Sequence, residues 1–63
     1  MQVGDIVFYP TKEGYIKYII KKIIGNDLFV TSYKSKQLNW LDISDIITFD
    51  DFTKIYKNEE VFD

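Results

Sequence analysis

Short apolar runs separated by turn-forming residues recur along this chain, and their spacing predicts strands. Gly4-Asp5 is a turn pair, Ile6-Val7-Phe8-Tyr9 is a run of β-favouring residues, and Pro10 is expected to end its ladder pairing. After the polar loop Thr11-Lys12-Glu13-Gly14 comes Tyr15 to Ile24, where two periodicities compete. Isoleucines at 16, 19, 20, 23 and 24 follow helical spacing, and Gly25 stands where a helix C-cap would. Yet the segment is built from β-branched and aromatic residues and runs into the turn Gly25-Asn26-Asp27 before another β-rich run, Leu28 to Tyr33. We expect a long bent strand, with a bulge near Ile19-Ile20 shifting the in/out phase so that the isoleucines imitate a helix; the helix stays open as the alternative.

Lys34-Ser35-Lys36-Gln37 reads as the next turn. Leu38-Asn39-Trp40 alternates in period two and opens a strand to Ile43, with Trp40 expected in the core because it is in phase with Leu38. Ser44-Asp45 should start a short helical turn, and Ile46 to Phe49 a closing strand. Behind Asp50 and Asp51, Phe52, Ile55 and Tyr56 lie at i, i+3 and i+4, which predicts a helical turn or two followed by a loose end. The expected fold is mostly β: a small five-stranded SH3-like barrel over about residues 3–49 with a short C-terminal helical turn or tail at 50–63, all in one domain, 1–63.

Composition sets how such a domain holds together. A chain of 63 residues buries only about 60% of its unfolded surface. There is no Cys and no His, so neither a disulfide nor a zinc site of the usual kind can staple it. Side-chain packing must do so, with 46% hydrophobic residues and five Phe, five Tyr and one Trp as material. No apolar run approaches the length of a membrane span, and the N-terminus lacks the charged and apolar regions of a signal peptide, so a cytoplasmic protein without membrane contact is the expectation. Ala and Arg are both missing while Lys, Ile, Asn, Tyr and Phe abound, the signature of an AT-rich genome such as a low-GC bacterium or its phages. Without Arg the bidentate fork that reads guanine edges cannot be made, which disfavours sequence-specific DNA reading.

The order of strand, loop, long strand, Gly-containing turn, strand and Trp-bearing strand resembles the Tudor, KOW and chromo-barrel group of SH3-like folds. Gly4-Asp5-Ile6-Val7 is similar to the opening of those domains, and Trp40-Leu41 with Ile43 to Ile46 to their closing strand and helical turn. Gly4 to Pro10, followed by Gly14 and the isoleucines, also resembles the start of the CarD-type RNA-polymerase-interacting domain. That resemblance implies a strand edge for the polymerase β subunit. The chain departs from that family at Thr11-Lys12-Glu13 and lacks its DNA-binding helical domain.

The polar residues give little chemistry. No general base lies near Ser32, Ser35 or Ser44, and the pairs Asp50-Asp51 and Glu59-Glu60 are sequence neighbours that would point apart in a strand, so no catalytic residue, cofactor or metal site is expected. Charge is more informative: residues 12–36 carry a net +4 and residues 37–63 a net −5. Two candidate contact surfaces follow. An acidic, aromatic one, Asp50, Asp51, Phe52, Tyr56, Glu59 and Glu60, would engage a basic site on a host protein, as a small phage inhibitor or accessory protein would. A basic, aromatic one, Lys17, Lys21, Lys22, Lys34 and Lys36 with Tyr15, Tyr18 or Tyr33, would track a phosphate backbone and stack on bases. The leading expectation is a non-catalytic protein-binding module, monomeric or homodimeric, acting on a host enzyme such as a nucleic-acid enzyme or RNA polymerase; nucleic-acid association is the alternative.

Overall fold

The computed structural model describes residues 1–55 and 61–62. The chain is mostly β, with five antiparallel strands in one sheet: β1 (Ile6–Thr11), β2 (Gly14–Ile24), β3 (Asp27–Ser32), β4 (Leu38–Asp42) and β5 (Ile47–Thr48). A 3-10 turn, Ile43–Asp45, joins β4 to β5, and helix α1 (Phe49–Ile55) follows. The strand order is β4-β3-β2-β1-β5. A two-residue strand, β6 (Val61–Phe62), adds in parallel to Tyr15 and Ile16 of β2, where a loose end was expected.

The segment from Gly14 to Ile24 is a strand, and the source of its helix-like isoleucines is visible. Opposite β3 the register slips between Ile20 and Lys22, so Lys21 is a bulge residue. Ile16, Tyr18 and Ile20 point to one face before the slip and Ile23 points to the same face after it, while Ile24 is exposed. Gly25 makes the following two-residue turn with φ +57°, a left-handed conformation that costs glycine nothing.

Pairing across the ladders selects the core. Val7, Tyr18, Ile20, Leu28, Val30 and Leu41 form one buried cluster, bordered by Tyr9, Ile16, Ile23, Ile43 and Ile46. The burial of Tyr18 corrects the expectation that its ring would be free to stack on a base. Among the described residues the sheet's opposite, outer face is covered at one end. There Phe8 stacks on Phe52 of α1, and Tyr15 meets Phe52 edge-on at 5.1 Å. A helix this short has little stability of its own, so α1 is held by that aromatic contact, with Thr48 Oγ1 accepting from the Asp51 N–H at its start.

Pro10 does not end the ladder: β1 continues through it to Thr11, opposite Gly14. β5 partners only Val7 and Phe8, so Pro10 stands where the outer side of β1 has no strand partner, the place in a sheet that tolerates a missing donor. The closing strand is also shorter than its apolar residues suggested, because Phe49 starts α1 behind Thr48.

Candidate functional site

The half of the outer face that α1 leaves open lies over β2, β3 and β4, and the ladder registers arrange it in cross-strand rows. One row is Lys22, Phe29 and Trp40; the next is Ile19, Thr31 and Leu38. Trp40 packs its ring against Phe29 at 4.9 Å and stays 51% exposed, and Leu38 is 62% exposed. This corrects the expected burial of Trp40. Leu38 and Trp40 do share a phase, but the phase that joins the core is that of Leu41, opposite Leu28.

Beyond Leu38 the row is basic. Tyr33 donates its backbone N–H to Lys17 O, which sets the two side chains opposite each other, and Lys17 Nζ lies 4.1 Å from the centre of the Tyr33 ring. Lys36 Nζ approaches the same ring at 5.5 Å. The turn between β3 and β4 makes this possible: Lys36 N–H donates to Ser32 O, and Lys36 takes the left-handed φ of +65°, rare for a side chain of its size. A ring face attracts each ammonium while leaving it open to water on its other sides.

The other end of the face is acidic. Asp27 and Asp42 are directly paired across β3 and β4, which places two carboxylates at this end of the face. Asp42 also caps the 3-10 turn, accepting from Ser44 Oγ at 2.7 Å and Ser44 N at 2.8 Å. Those two hydrogen bonds, the hydroxyl's first, hold its carboxyl below the ordinary aspartate range.

The rim of β4 has its own device. Ser32 N–H donates to Gln37 O, and since paired residues of an antiparallel ladder alternate between bonded and non-bonded, the amides of Leu38, Trp40 and Asp42 point away from β3. The middle one is taken: Asn39 Oδ1 accepts from Trp40 N at 2.9 Å.

The expected surfaces are therefore brought together only in part. Lys17, Tyr33 and Lys36 converge, and Lys22 shares their face beside Trp40; Lys21 is in the bulge, and Tyr15 is half-buried against Phe52. Lys34 is an exposed residue of the β3–β4 turn. Of the acidic surface, Asp50 and Asp51 are exposed in the first turn of α1, but Phe52 is buried on Phe8 and cannot serve as an anchor for a partner. Tyr56, Glu59 and Glu60 lie outside the described residues. The apolar residues that sequence reasoning did not place on this face are Phe29, Leu38 and Trp40.

A cleft of about 480 Å³ lies elsewhere, between the N-terminal turn and the start of α1. Its ionisable side chains are Asp5, which accepts from Gln2 N, and Asp50. Among the described residues no group of three His, Cys, Asp or Glu side chains is placed to hold a metal ion, and no helix is long and apolar enough to cross a membrane. No protein-family model, curated protein or solved structure matches the chain.

Proposed function

We propose that this chain is a non-catalytic protein-binding module, a small accessory or inhibitory protein of a mobile element that docks on a larger host protein through the open half of its outer sheet face. The observation that carries this reading is the exposed Trp40, backed by Phe29 and flanked by Leu38, with Lys22 beyond Phe29 in the same row and Lys17 and Lys36 gathered at Tyr33 at one end of the face. Binding energy at protein interfaces concentrates in a few central aromatic residues within a polar rim, and Trp is the most favoured of them. A contiguous apolar patch on so small a domain otherwise lowers solubility without return.

The fold supports membership of the SH3-like barrel group, since a 3-10 turn joins the Trp-bearing strand to the closing strand, as that resemblance implies. It also makes RNA polymerase a reasonable first target to test. A second reading, single-stranded nucleic acid, draws on the two ammoniums gathered at Tyr33.

Affinity capture from a low-GC bacterial lysate, with and without nuclease, separates the two. We expect a single protein retained after nuclease treatment and released by Trp40→Ser. Retention that disappears with nuclease, or that is unchanged in Trp40→Ser, would remove this reading. Salt gives a second criterion: a phosphate contact weakens steeply with salt, and an aromatic-anchored one much less.

A further inference from the structure

We infer that the outer face also receives a second copy of this chain, packed sheet against sheet about a two-fold axis. The inference rests on the reading of this face as a protein contact but is independent of the host target. Its basis is the order of charge along the face. Lys17 and Lys36 stand at the Tyr33 end, the paired Asp27 and Asp42 at the other, with Phe29, Trp40 and Leu38 between. The ends are six residues apart along β3, about 20 Å at strand rise.

A strip that is positive at one end, apolar in the middle and negative at the other is complementary to itself under a half-turn. With the axis between the Phe29–Trp40 row and the Thr31–Leu38 row, Trp40 of each copy meets Leu38 of the other. The Lys17–Lys36 end of each copy then faces the Asp27–Asp42 end of its mate, twice by symmetry. The paired Asp27 and Asp42 then meet cations that a single copy does not bring to them. Asn39 favours a meeting of faces: its side chain occupies one of the three outward amides, that of Trp40, which an added strand on the β4 rim would use.

Sedimentation equilibrium of the full chain from micromolar to millimolar concentration tests it. The wild type should reach twice its 7.5 kDa mass. Trp40→Ser should stay monomeric. Lys36→Asp and Asp27→Lys should each weaken association by about tenfold or more, since each places like charges together at both symmetric contacts. Neither touches the core: Lys36 is an exposed turn residue with a left-handed φ that Asp accepts, and Asp27 caps no helix.

The decisive measurement is a mixture of these two single variants, in which both contacts of the mixed pair become attractive and association returns. A wild type that stays at 7.5 kDa, a mixture as weak as its components, or a dimer surviving in Trp40→Ser overturns the inference. So does a tenfold gain on Asn39→Ala, which would assign the contact to the β4 rim. A monomer that still captures a nuclease-resistant target overturns the dimer alone and leaves the docking reading standing.

Discussion

Phe52 of α1 lies flat on Phe8 of β1, with ring centroids 3.8 Å apart and planes 14° from parallel. Through this one contact the C-terminal helix becomes the cover of half the outer face, and Phe8, pointing away from the main core, becomes buried. Phe52→Ala should cost about 3–5 kcal/mol, the usual loss for a buried aromatic, in a domain whose whole stability is of that order. Urea unfolding followed by circular dichroism checks this; a loss under about 1 kcal/mol would mean α1 contributes no essential cover.

Ile20 and Ile24 were indistinguishable by periodicity, and the bulge at Lys21 gives them opposite environments, fully buried and 51% exposed. Ile20→Ala should destabilise by about 2–5 kcal/mol and Ile24→Ala by no more than about 0.5 kcal/mol. Equal costs in thermal or urea unfolding would contradict this placement.

These two residues mark the limit of what patterning reveals. Strand positions, the Gly25 turn, the 3-10 turn at Ile43–Asp45 and the helix behind Asp50-Asp51 follow from local preferences, and all are present. The choice of face does not follow. β4 carries apolar side chains in both phases, Leu38 and Trp40 in one, Leu41 and Ile43 in the other, so the decision falls to register with Leu28 and Val30 on β3, a nonlocal quantity. Phe52 shows the converse: its acidic neighbours suggested a surface, while the aromatic ring it needed was Phe8, far away in sequence.

Trp40 is the sole tryptophan, so its fluorescence reports on the open outer face directly. In dilute solution it should emit as a solvated indole and be quenched readily by acrylamide, and Trp40→Ser should cost no more than about 1 kcal/mol of unfolding stability, the value of a cross-strand aromatic pair. A blue-shifted, unquenchable emission at the lowest concentrations would place the indole in the interior.

Asp42 gives the 3-10 turn an acid sensitivity of known sign. Its carboxyl titrates lower in the folded chain than in the unfolded one because Ser44 donates twice to the ionised form. The stabilisation is therefore fully present above the unfolded aspartate value, about 4, and disappears as pH falls through the lower folded value. Asp42→Asn, which retains the ability to cap, should flatten the fall in thermal midpoint over that acid window; an unchanged slope would show that Ser44 does not favour the ionised form.

The side chain of Asn39, turned onto its neighbour's amide, decides what sort of assembly this molecule can enter. A sheet whose rims are open adds copies without end, because each arrival presents the same rim to the next, and filaments result. Here β1 carries a proline without a donor at Pro10, just beyond the end of its partner β5, and the β4 rim carries one amide already spoken for at Trp40. Strand addition is disfavoured at these two places, while the flat of the sheet keeps Trp40 and Leu38 exposed. The face-to-face pairing inferred above closes on itself about its two-fold axis, whereas addition at a rim would present the same rim again.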